Sequence, residues 1–548
     1  MQWRIKFLIF FFGVLYLILI FNIYNLQIEK EVYYLTKAET QSRLNGVFEA
    51  IRGNIYFIDK NNNLIPAALN KDYPTVFAVP DEILKDSETM TDYTEKLSSI
   101  FNFSIKELEE KLSKQDDLYE LLIEKASSKQ LNEINNLNLK GIYTDSRLLR
   151  FYPFEKIASH LLGFVGLTDV SKKGLYGVES YFDKELSGRD GEIKDNKIIK
   201  SEEGENIILT IDYHIQVQAE EILEKLIKDY QAVGGSVIVQ ESKTGKIMAM
   251  ANFPNFNPND YSKFNIASFL NPSVEAVYEP GSIFKVITMS AGIDSGKITP
   301  ETTYEDEGSV TFNGRTIRNW DLKSHGVQTM TGVIEQSINT GAVFAQRETG
   351  PDIFYNYLVK FGFGELTGID LPGEVRGSLN NLKNGKDIDF ATASFGQGVS
   401  VTPIQLINAV SVIANGGVLM KPIILENEKP QEIRRVISLE TAEKVSKMMV
   451  SAVEKNILAA IPNYSIAGKT GTAFVPDFKK GGYSDEVINT YVGFISNPFS
   501  FKNSRIFTIL VKLEKPKGSP LAGQTVVPAF RELMQFILNY YNISPENL

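Results

Sequence analysis

Ser282 and Lys285 stand three positions apart in Glu279-Pro280-Gly281-Ser282-Ile283-Phe284-Lys285. On a helix, residues at i and i+3 share a face, which brings the serine hydroxyl within hydrogen-bond reach of the lysine amine. A serine hydroxyl is a poor nucleophile at its own pKa and needs a neighbouring base. Lysine becomes that base when burial and nearby cations depress its pKa. Pro280 and Gly281 read as a turn, the apolar run from Ile283 to Ile293 as a buried helix, and Gly296 as its stop. Ser282 then sits at a helix N-terminus, where free backbone N–H groups stabilise developing negative charge. Taken alone, Ser-x-x-Lys also fits a solvated serine ahead of a core helix.

Two later stretches bear on that choice. Ser337-Ile338-Asn339 lies between two helix-like runs, residues 331–336 and 340–347. Lys469-Thr470-Gly471-Thr472 lies inside a strand-like run, residues 464–474. This ordered trio resembles the motif set of the penicillin-binding protein superfamily of serine acyltransferases. Gly362 to Glu374, and Ala393 to Leu406, resemble segments of its class B members. The similarity extends over about residues 45–540. Glu279-Pro280-Gly281 and Lys469-Thr470-Gly471-Thr472-Ala473 look more like the division-type enzymes than the rod-elongation type.

The resemblance implies a role for each residue. Ser282 attacks the penultimate D-Ala carbonyl of a peptidoglycan stem peptide and leaves an acyl-enzyme. Lys285 takes the Ser282 proton, although the identity of that base is disputed among related enzymes. Ser337 relays a proton to the leaving amine, and Asn339 holds Lys285 and the substrate amide. Lys469 supplies fixed positive charge near Ser337 and keeps Lys285 neutral by repulsion. Thr470 and Thr472, two apart on a strand, share a sheet face; the Thr472 hydroxyl receives the terminal carboxylate of substrate or β-lactam. Gly471 lets substrate approach the strand closely. Backbone N–H groups of Ser282 and Thr472 form the oxyanion hole.

The elements that must hold these residues are legible in outline. Ile207 to Asp212 opens a strand-and-helix unit, and residues 235–240 and 246–252 read as a hairpin. Thr402-Pro403 opens a helix that Gly416-Gly417 closes, and Ser438 caps another reaching about Val453. Residues 487–496 and 505–513 are strand-like, and a helix from Pro528 to about Asn539 closes the chain. Two early strands, three late ones and helices between them suggest an α+β antiparallel sheet covered on both faces. The resemblance implies the same five-stranded transpeptidase fold. Upstream, the leucine-spaced charged stretch from Glu82 to about Asn138 reads as helical, and residues 150–179 as glycine-punctuated packed segments. The expected domains are 1–28 (cytoplasmic stub and membrane anchor), 29–203 (a mixed α/β pedestal like the dimerisation module of class B proteins) and 204–548 (transpeptidase).

Composition narrows the rest. With 548 residues the chain exceeds one ordinary domain. A net charge of −10 argues against nucleic acid as a partner. The absence of cysteine excludes thiol catalysis and disulfides, and the three histidines show no metal-ligand spacing. No cofactor or metal is expected. Arg4 and Lys6 precede an apolar run from Phe7 to Phe21 that continues diluted to Ile28, long enough to span a bilayer with Trp3 and Tyr24 at the interfaces. No small-x-small cleavage site follows, so the segment reads as a retained single-pass anchor, N-terminus cytoplasmic and catalytic region outside. Class B relatives pair through anchor and pedestal with a polytopic SEDS-type glycosyltransferase and divisome membrane proteins; the resemblance implies such partners. An elongation-type transpeptidase of the same class, a membrane-anchored β-lactamase or D,D-carboxypeptidase, and a β-lactam sensor are the alternative readings.

Overall fold

The chain alternates between two compact units, described here from a computed structural model. It describes residues 49–548 except 84–86, 115–116, 118, 168–171, 195–196, 313, 478, 497–504, 519–520 and 546–548, together with 3–4, 7, 10–16 and 19. The expected anchor lies largely outside these residues; 10–16 are helical, and no helix of the described residues is long and apolar enough to cross a membrane.

The first unit comprises Leu69–Phe151, Lys184–Asn206 and the described residues up to Asn54. From Leu69 onward, the strand Leu64–Ala78 pairs antiparallel with Ile142–Phe151, and its end also pairs with Glu120–Ile123. Helices Ser87–Phe101, Ile105–Leu112 and Ser128–Leu137 bury Leu97, Phe101, Leu108, Leu112 and Ile134 in one core. Ser104 with Glu107, and Ser127 with Gln130, form reciprocal capping boxes at the last two helices. The expectation of helix throughout Glu82–Asn138 is therefore corrected. Glu120–Ile123 is a strand, because its two-residue alternation places Leu122 in the core and its backbone on the sheet edge.

The second unit comprises Ile55–Ala68, Tyr152–Asp183 and Ile207–Leu548. Ile207–Asp212 pairs in parallel with Ile55–Ile58 and leads into α1, Tyr213–Tyr230, capped by Asp212. The hairpin β1 (Gly234–Glu241) and β2 (Ile247–Phe253) follows. Next come α2 (Phe284–Asp294), α3 (Met330–Gln336), α4 (Asn339–Thr349), α5 (Pro403–Ala414) and α6 (Leu439–Asn456). The chain closes with β3 (Ile466–Pro476), β4 (Tyr483–Ile495), β5 (Phe507–Glu514) and α7 (Ala522–Tyr540). The five strands form one antiparallel sheet in the order β2-β1-β5-β4-β3, as expected, with β3 at the edge. Alternation assigns Val237, Val239, Ile509, Val511 and Leu513 to the face covered by α1 and α7.

The closing helix starts six residues earlier than expected. Proline in a helix interior leaves the carbonyl four residues back without its N–H partner. Here that carbonyl is Gln524 O, and the Tyr230 hydroxyl at the end of α1 donates to it at 2.9 Å. A side chain far away in sequence thus makes Pro528 acceptable inside α7.

Candidate active site

The turn before α2 is compressed between two backbones. Gly281 has φ +59°, in the left-handed region that side chains disfavour, and a Cβ there would also meet Thr472 O at 3.1 Å. Its N–H donates to Gly396 O at 3.1 Å. Gly281–Ile283 forms a single 3-10 turn that runs into α2, whose residues Phe284–Ile293 are all buried. A helix apolar all round belongs in a core, so α2 is a rigid post with Ser282, half-buried, at its top.

Lys285 is fully buried on that post. Its Nζ lies 3.1 Å from Ser282 Oγ, 2.5 Å from Ser337 O, 2.8 Å from Asn339 Oδ1 and 3.2 Å from Ser337 Oγ. The Ser337 carbonyl and Asn339 Oδ1 can only accept, so they take two N–H bonds. The remaining position on the nitrogen is shared by Ser282 Oγ and Ser337 Oγ. In the neutral amine that position is a lone pair, which can accept from either hydroxyl. Burial, with the nearby Lys469 charge adding to it, pushes the Lys285 amine well below its ordinary pKa. Lys469 is itself buried and pushed down to about 7; its Nζ stands 3.0 Å from Ser337 Oγ. Ser337 Oγ thus touches both amines.

Ser337 ends α3 with φ +57°, its N–H bonded to Val333 O. That left-handed residue swings the chain so that Asn339 opens α4 beside Lys285. The residue before α4, Ile338, offers no capping side chain. The cap comes from elsewhere: buried Asn319 accepts from Asn339 N at 3.1 Å and Thr340 N at 3.2 Å. Asn319 Nδ2 donates to buried Asp306 at 2.8 Å, and the Thr340 hydroxyl donates to Asp306 at 2.6 Å. Asn319 and Asp306 escaped the sequence reading because this cap is not local.

On edge strand β3, Lys469 points to Ser337 while Thr470 and Thr472, both half-buried, share the other parity. Lys469 Nζ also reaches Thr470 O at 3.2 Å. The Thr472 hydroxyl accepts from Ala522 N, the first N–H of α7, at 3.3 Å. A Cβ on Gly471 would meet Pro280 O at 2.7 Å and Ile283 at 3.1 Å, so the glycine admits the protein's own Ser282 turn. Glu279, quoted only as part of a motif, clamps the same turn. Its Oε1 accepts from Gly398 N at 2.9 Å and its Oε2 from the Tyr483 hydroxyl at 3.0 Å. Glu374, a carboxylate downstream of Asn339, accepts from Thr367 N at 2.7 Å and Gly368 N at 3.1 Å within its own loop. Among the described residues no cluster of His, Cys, Asp or Glu could hold a metal ion.

Comparison with known proteins shows the family of this chain. Residues 235–535 match the penicillin binding protein transpeptidase domain, and residues 47–218 the penicillin-binding protein dimerisation domain. The chain is 32% identical to stage V sporulation protein D of Bacillus subtilis over 530 residues, covering 91% of this chain and 79% of that one. It is 30% identical to peptidoglycan D,D-transpeptidase FtsI of Escherichia coli over 429 residues, covering 76% and 71%. A crystal structure of penicillin binding protein 3 from Mycobacterium tuberculosis complexed with aztreonam superposes with a TM-score of 0.68 at 26% identity, covering 91% of this chain and 98% of that one. A buried lysine bonded to a serine at the head of an apolar helix is what a family of serine acyltransferases needs, and this chain belongs to the class B penicillin-binding proteins as a peptidoglycan D,D-transpeptidase acylated by β-lactams.

Proposed function

We propose that the protein cross-links stem peptides during septal wall synthesis, with Ser282 as nucleophile and Lys285 as its base. The observation that carries the residue roles is the Lys285 Nζ, stripped of water and held 3.1 Å from Ser282 Oγ by two carbonyl acceptors. Neutral Lys285 takes the hydroxyl proton as Oγ attacks the D-Ala carbonyl, and Ser337, touching both amines, carries a proton to the departing D-Ala nitrogen. Lys469 keeps a positive charge beside Ser337, while Thr470 and Thr472 line the strand edge where the terminal carboxylate docks.

Strand geometry supports the oxyanion hole that the resemblance implies. In an antiparallel strand the N–H and C=O of one residue project to the same edge. Thr472 O approaches Gly281, which supports a Thr472 N–H directed to the same edge, on the side of the turn that carries Ser282. Two such donors, the Thr472 and Ser282 N–H groups, stabilise the tetrahedral oxyanion in a water-poor site.

The septal role rests on likeness to FtsI and to penicillin binding protein 3. It carries further expectations: an anchor over residues 1–28 in the cell membrane, N-terminus cytoplasmic, and partnership with a polytopic SEDS-type glycosyltransferase and other divisome membrane proteins. The test is Ser282→Ala. That variant should fold, lose covalent labelling by a fluorescent penicillin, and fail to restore septal cross-linking in depleted cells. Labelling that persists on another serine would remove Ser282 from the mechanism, and septal rescue by the variant would remove the septal role.

A further inference from the structure

Arg318-Asn319-Trp320 is strapped to the second motif at three points. Arg318 O accepts from Asn339 Nδ2 at 2.9 Å, Asn319 Oδ1 accepts from the Asn339 and Thr340 N–H groups, and Trp320 Nε1 donates to Gln336 O at 3.1 Å. The second strap is buried and explains itself as a helix cap. The third does not. Trp320 is 61% exposed, yet its polar edge is fixed to the residue preceding Ser337. The fold has anchored an indole to the residue before Ser337 and left most of it to solvent.

We propose that Trp320 binds the acceptor substrate, receiving the ammonium of an amine on an aliphatic stem, and so selects the group that resolves the acyl-enzyme. The inference rests on the transpeptidase reading above. The leaving amine departs past Ser337, and by microscopic reversibility the incoming amine arrives there. A primary amine of this kind is an ammonium at neutral pH. Lys285 and Lys469 flank the same spot, and a second cation is repelled by any charge they carry. A carboxylate placed to attract it would pair with Lys469 instead. An aromatic face attracts a cation without neutralising the site, and indole does so best. The ammonium then gives one proton to solvent, and its neutral nitrogen attacks the ester carbonyl on Ser282. The C–N bond forms, the C–Oγ bond breaks, and the remaining excess amine proton passes through Ser337 to Ser282 Oγ.

The full chain in detergent, given a thioester donor ending in a D-alanine analogue, tests this with two nucleophiles: a cationic diamino acid, and hydroxylamine, which is uncharged at the assay pH. Trp320→Ala should raise the apparent KM for the cationic amine about three- to thirtyfold, the span from exposed to desolvated cation–π pairs. Hydroxylaminolysis and acylation by fluorescent penicillin should stay within about twofold. Trp320→Phe, which keeps a ring face but loses the bond to Gln336, should fall between. An unchanged KM for the amine overturns the proposal. So does an equal loss for both nucleophiles or for penicillin acylation, since that pattern means the indole acts only by holding Gln336 and Ser337. A wild-type enzyme that transfers to neither nucleophile would instead overturn the transpeptidase reading beneath it.

Discussion

Ser337 Oγ lies within 3.2 Å of two buried amines, and the proposed mechanism asks opposite things of them: Lys285 neutral and Lys469 charged. The second-order rate of acylation should therefore rise with pH as Lys285 loses its proton. It should fall again as Lys469, pushed down to about 7, loses its own. Lys469→Arg keeps a charge that cannot titrate and should abolish the alkaline limb; an unchanged limb would assign it to another group. Lys469→Met removes the charge that helps depress Lys285, so the acid limb should move to higher pH. Acylation should also slow by about 10²–10³, the typical loss of one electrostatic stabiliser. Stability follows by linkage. Between about 7 and the ordinary lysine value of 10.5 the unfolded chain binds the proton that folded Lys469 has lost. Stability should thus climb with pH across that window, and melting curves of Lys469→Met should climb less. At this scale the sequence was informative where chemistry needs fixed residue types at short spacing, as with Ser282 and Lys285. Glu279, Asp306 and Asn319 act through contacts between distant segments, and no local pattern announces them.

The elements around the site are held by close backbone approaches, which single glycines permit. Gly396 has φ +80°, and a Cβ there would stand 2.2 Å from Gly281 O. Gly314 has φ +81°, with nothing within 4 Å of its Cβ position. Alanine at either site costs about 1–2 kcal/mol in backbone strain, so melting temperatures alone separate them poorly. Activity should separate them sharply: Gly396→Ala displaces the Ser282 turn and should slow acylation at least about tenfold, because small misplacements cost that much. Gly314→Ala should acylate at nearly the wild-type rate. Equal rates in both variants would show that the turn absorbs the clash. Element existence was legible because the periodicities are strong: Thr402 and Ser438 cap the helices they were expected to cap, and the β1–β2 hairpin stands within one residue of its expected bounds. The misses share one cause. Glu120–Ile123 needs a partner strand and Pro528 needs the Tyr230 hydroxyl, so tertiary partners outweighed local propensity in both.

At the scale of the molecule, the proposed anchor and the catalytic unit should separate by experiment. Exchanging residues 1–28 for an unrelated single-span anchor should leave penicillin labelling intact while impairing septal synthesis in cells; full complementation would show that the native segment only tethers. A second separation concerns the unit itself. A chain starting at residue 204 would carry every motif residue, yet it would lack Ile55–Ala68 and Tyr152–Asp183, which belong to the catalytic unit. Ile55 and Phe57, both fully buried, sit on the strand that pairs with Ile207–Asp212. Phe164 stacks on Tyr261 at 4.3 Å and meets Phe269 edge-on at 4.9 Å, with Leu161, Leu162 and Val178 buried nearby in sequence. Ala158 N donates to Glu220 at 2.6 Å, a carboxyl that burial pushes up to about 7. Each large apolar side chain lost from such a core forfeits roughly 1.5–3 kcal/mol. These residues together therefore match the whole stability of a typical domain, about 5–15 kcal/mol. The chain from residue 204 should be insoluble or melt far below the chain from residue 49, and only the longer one should label with penicillin. Comparable melting and labelling of the two would mean that the five-stranded sheet and its helices need neither segment.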